Sequence, residues 1–92
     1  MPELETIRTL AREWAATHSS VRVDLDEDET PLYDDAVQIS LNDPANEYAW
    51  FGFYYTNYGT VCSVDASDDM DEEDRTRLSE LADDLISYLK GE

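Results

Sequence analysis

Apolar residues recur at helical spacing towards both ends of the chain and at every second position through its middle. Over residues 3 to 18, Leu4, Ile7, Leu10, Ala11 and Trp14 alternate with Glu3, Glu5, Arg8, Arg12 and Glu13 in the period of an amphipathic helix. Pro2 suits its first turn, where a missing N–H costs nothing, and Ser19-Ser20 ends it. Val21, Val23 and Leu25 then alternate with Arg22, Asp24 and Asp26, and beyond an acidic loop Val37, Ile39 and Leu41 alternate with Gln38, Ser40 and Asn42. Alternation of this kind predicts paired strands with one apolar and one wet face. Asn42-Asp43-Pro44-Ala45-Asn46 predicts a turn, and a third strand follows from Tyr48 to Thr56. Asn57-Tyr58-Gly59 fits a hairpin loop in which Gly59 supplies a positive φ, which pairs Thr56 with Thr60 and leads into a fourth strand ending near Asp65.

From Asp69 the period becomes helical again, with Leu78, Leu81, Ala82, Leu85, Ile86 and Leu89 as the apolar stripe. Asp69 and Glu72 have the spacing of a capping box, Asp71 to Arg75 and Glu73 to Arg77 are i,i+4 pairs, and Gly91 is placed for a C-cap. The expected fold class is α+β, a single domain over residues 1–92 in the order α-β-β-β-β-α. Short connections favour a four-stranded antiparallel meander, ordered 1-2-3-4 and flanked by an N-terminal and a C-terminal helix.

The block Tyr48-Ala49-Trp50-Phe51-Gly52-Phe53-Tyr54-Tyr55 departs from the wet-and-dry pattern, because both of its faces are apolar. Phe51, Phe53, Tyr55 and Val61 continue the core face. Tyr48, Trp50 and Tyr54 then fall on the opposite face, and the hairpin register places Cys62 opposite Tyr54 and Val64 opposite Gly52. Contiguous apolar patches usually mark interaction sites, and Tyr and Trp are their preferred anchors. Tyr48, Trp50, Gly52, Tyr54, Cys62 and Val64 are therefore the candidate interaction residues, with Gly52 as a flat floor. The competing expectation is that one helix crosses the sheet and buries this patch as ordinary core.

Composition changes the picture mainly through charge. The 92 residues carry 23 Asp and Glu against 6 Lys and Arg, a formal net charge of −17, while 41% are hydrophobic. Such a chain should fold, because disordered acidic segments lack this share of apolar and aromatic residues. Its self-repulsion is weakest where salt shortens screening, which suggests the cytoplasm of a halophile. Neither a basic, apolar leader nor a stretch of membrane-spanning length is present, which also points to the cytoplasm and away from the membrane. So few cations cannot neutralise a phosphate track, so direct nucleic-acid binding is not expected.

Candidate chemistry is sparse. Asp24, Asp26, Asp28 and Asp35 have calcium-loop spacing, but Glu29 stands where the loop needs glycine and Asp35 where it needs a bidentate Glu. With Cys62 as the sole cysteine and His18 as the sole histidine, neither a metal site nor a cofactor is expected, and His18 reads as a residue favoured by a helix C-terminus. The expected function is a small, acidic, non-enzymatic interaction domain that forms a homodimer or docks a protein partner through its aromatic sheet face. The alternatives are an acidic inhibitor of the DNA-mimic type, acting through the loop at 27–35, and an enzyme with paired carboxylates in an aromatic pocket.

Overall fold

The computed structural model describes residues 4–25 and 35–91, and its elements follow the hydrophobic pattern. They are α1 (Leu4–Ala16), β1 (Arg22–Leu25), β2 (Ala36–Asp43), β3 (Asn46–Thr56), β4 (Val61–Ala66) and α2 (Glu72–Lys90). The strands form an antiparallel sheet in the order β1-β2-β3-β4, the expected meander. None of the described helices is long and apolar enough to cross a membrane.

Period two places Val37, Ile39 and Leu41 of β2 on one side of the sheet, directly opposite Tyr55, Phe53 and Phe51 of β3. Both helices turn their stripes to this inner face. Ile7, Ala11 and Trp14 of α1 and Leu78, Ala82, Leu85 and Leu89 of α2 join Val37, Ile39, Leu41, Ala49, Phe53 and Tyr55 in one buried core. α1 lies over β1 and β2, and α2 over β2 and β3. The helix that might have crossed to the outer face does not do so.

The ends of α2 differ from expectation at one terminus. Gly91 closes it in the left-handed conformation (φ 80°), donating to the carbonyls of Ser87 and Tyr88 as a C-cap should. The N-cap, however, is Asp71 rather than Asp69: its carboxylate accepts from the Asp74 N–H at 2.9 Å. Met70 is the reason, since burying that side chain draws the approach segment into the core before the first turn can start. Asp69 instead donates its N–H to the Ser67 hydroxyl at 3.2 Å.

Arg77 also departs from its expected pairing with Glu73. Its Nη2 reaches Asp43 at 2.6 Å and Asp74 at 3.1 Å, tying α2 to the turn between β2 and β3. Asp43 accepts from the Ala45 N–H as well, at 2.8 Å. That backbone bond first, and the Arg77 guanidinium second, hold the Asp43 carboxyl below its ordinary range. A lowered folded-state value stabilises the protein above the unfolded carboxylate range and is lost as pH falls through the folded one. Asp43→Asn should therefore melt earlier than wild type at neutral pH, with the difference closing in acid. Thermal melts from about pH 7 down to about pH 3 test this, and a gap that persists in acid would contradict it.

Candidate functional site

The hairpin that carries the aromatic face is built as its turn residues dictate. Thr56 and Thr60 pair through a backbone bond of 2.9 Å and a hydroxyl contact of 2.7 Å, and Gly59 takes a φ of 85°. This register sets Cys62 opposite Tyr54, as expected. Trp50 lies opposite Asn42, Gly52 opposite Ser40, and Tyr54 opposite Gln38, all on the side of the sheet away from the helices.

That outer face divides into two halves. On β1 and β2 the polar groups satisfy each other: Asp24 accepts from Asn42 at 2.8 Å and from Arg22 at 3.2 Å. On β3 and β4, Tyr48 and Val64 are 58% and 57% exposed, Trp50 and Tyr54 are half-buried, and the Cys62 thiol is exposed. None of these five belongs to the core or packs against it, whereas Phe51, Val61 and Ala66 from the same two strands do. The structure thus brings Trp50, Gly52, Tyr54 and Cys62 together on one surface, with Tyr48 at its end.

Among the described residues nothing gives Gly52 a steric reason to be glycine. A Cβ there would meet the Ile39 carbonyl at 3.6 Å and the Ser40 hydroxyl at 4.0 Å, which is ordinary contact. Glycine inside a strand weakens it, and it often marks the close approach of another group. Its presence supports the reading of a flat floor between Trp50 and Tyr54.

Val64 is misplaced by the sequence reading. Ser63 adopts a left-handed φ of 52°, so Ser63 and Val64 together face Phe53 in a bulge, and Asp65 takes the place opposite Gly52. The patch therefore has an exposed carboxylate beside its glycine, with Val64 at the irregularity. The pattern did contain a signal: Val61 and Ala66 both pack on the core although an odd number of positions separates them, which an unbroken strand forbids. β4 is also an edge strand, and a bulge there discourages pairing with the edge of another sheet.

Elsewhere the candidates do not gather. Residues 26–34, with Asp26, Asp28 and Glu29 of the calcium-like spacing and most of the loop at 27–35, lie outside the described residues, while Asp24 is engaged with Arg22 and Asn42. Among the described residues no three His, Cys, Asp or Glu side chains are grouped to hold a metal. His18 lies just beyond α1 and stacks on Trp14, with ring centroids 3.9 Å apart and planes 11° from parallel. The Trp14 indole in turn donates to Asp84 of α2 at 2.8 Å. The inter-helix contact has no local sequence signal, because Trp14 and Asp84 are separated by 70 positions. No protein family, curated protein or solved structure matches this chain.

Proposed function

We propose that this chain is a small non-enzymatic interaction domain that self-associates, two copies packing the aromatic outer faces of β3 and β4 against each other. The observation that carries this reading is that both helices cover the same side of the sheet, leaving Tyr48, Trp50 and Tyr54 outside the core. A second copy fits such a patch because a twofold axis through it brings aromatic onto aromatic and leaves both polar halves in water. The bulge in β4 discourages pairing along that edge, which favours the face beside it as the surface of association. Two strongly acidic copies repel in dilute buffer, so association belongs with the saline cytoplasm that the composition suggests.

Sedimentation of wild type and Trp50→Ser at about 0.1 M and about 1 M KCl tests this. Wild type should be a dimer that tightens with salt. The variant should be a monomer that still melts cooperatively, because an anchor of this kind contributes on the order of 2 kcal/mol or more to binding and nothing to the intrachain core. A wild-type monomer in molar KCl would overturn the proposal. Binding to a basic protein that fades with salt would favour the acidic-inhibitor alternative instead.

A further inference from the structure

The cluster of His18, Trp14, Thr17 and Asp84 carries an inference independent of the aromatic face. His18 Nδ1 lies 2.8 Å from the Trp14 carbonyl oxygen, and Nε2 lies 3.3 Å from Asp84 Oδ2. A carbonyl and a carboxylate only accept hydrogen bonds, so both contacts are complete only when both ring nitrogens carry a proton. Asp84 Oδ2 also accepts from the Trp14 indole at 2.8 Å, which makes one oxygen of α2 the meeting point of two rings from the α1 end. From its own segment the ring meets Trp14 and Thr17. The β1 side supplies only the Val21 N–H, which bonds the His18 backbone carbonyl at 3.2 Å, so Asp84 is the one charged side chain bonded to the ring among the described residues.

We infer that this cluster is a proton-dependent latch between the helices, closed by the imidazolium form of His18 and loosened by the neutral ring. When Nδ1 loses its proton, two lone pairs face each other 2.8 Å apart, and the ring must leave the Trp14 carbonyl. Thr17 makes that end the one to release. Its hydroxyl, 2.9 Å from both the Trp14 carbonyl and Nδ1, can turn to donate to the ring, while the carbonyl keeps the Thr17 N–H at 3.1 Å. The Nε2–H contact to Asp84 survives, and the stacking on Trp14 is disturbed.

Nuclear magnetic resonance of the intact protein from about pH 5 to about pH 8.5 tests the latch. The Trp14 indole N–H and the His18 ring should shift together, with one midpoint. In His18→Gln, whose single amide donor does not titrate, the indole transition should vanish. An indole signal that ignores the His18 titration in wild type, or one that still moves in His18→Gln, would overturn the inference. The wild-type measurement alone decides should the variant fail to fold.

Discussion

Phe53→Ala should cost about 3–5 kcal/mol, a large part of the roughly 5–10 kcal/mol that holds a domain of this size together. Phe53 is 1% exposed, faces Ile39 across the sheet, and meets Phe51 with ring centroids 6.4 Å apart. Truncation removes the aromatic surface and leaves a cavity, because the helices above and the sheet below cannot both collapse into it. Trp50, three positions away on the opposite side of β3, is the contrasting case: its loss should leave unfolding free energy within about 1 kcal/mol of wild type. Urea unfolding of the two variants in dilute protein at low salt, where the copies stay apart, compares the faces directly. Equal losses would mean that the inner and outer surfaces of the sheet have been assigned wrongly. Phe53→Leu, which keeps most of the volume, should recover the larger part of the deficit.

Salt should have the second large effect. Raising KCl from about 0.1 M to about 1 M shortens the screening length from roughly 10 Å to roughly 3 Å. Asp24, Asp65, Asp68, Asp69, Asp71, Glu72, Glu73, Asp83 and Asp84 are all exposed, and relief of their mutual repulsion should raise the melting temperature by about 5 °C or more, the shift that ~1 kcal/mol produces in a small domain. The opposing effect is smaller. Exposed ion pairs such as Arg22–Asp24 weaken in salt, but each contributes only about 0–1 kcal/mol, and cations are outnumbered 23 to 6. A melting temperature that stays flat or falls would remove the argument for a saline habitat. Scanning calorimetry across the series, run on Trp50→Ser so that association does not contribute, is sufficient.

Element order, strand order and hairpin loop were legible because each rests on a local signal. Alternation in Val37-Gln38-Ile39-Ser40-Leu41 gives a face without knowledge of any partner, and Asn57-Tyr58-Gly59 gives its turn through one glycine. Membership of Trp50, Gly52, Tyr54 and Cys62 in one surface follows from the same parity. Features set by distant contacts were not legible. The cap of α2 moved because Met70 is buried against the core, Arg77 chose Asp43 over Glu73, and Trp14 found Asp84. Val64 lies between these cases: the parity break that displaces it is written in β4, but it is recognisable only once Ala66 is known to face inward.

The placement of α2 over β2 and β3 also bears on how this protein is made. Phe53 and Tyr55 are covered by a helix that the ribosome delivers after the whole meander has emerged, and the Trp14 indole waits for an oxygen encoded 70 codons later. Until α2 arrives the nascent sheet carries bare aromatic side chains on its inner surface as well as its outer one, and such surfaces are the part of a growing polypeptide that chaperones hold and neighbouring nascent chains stick to. Folding is thus deferred until α2 has been made. A stalled or truncated product lacking α2 would be sticky on both sides, whereas with α2 in place only the outer side stays bare.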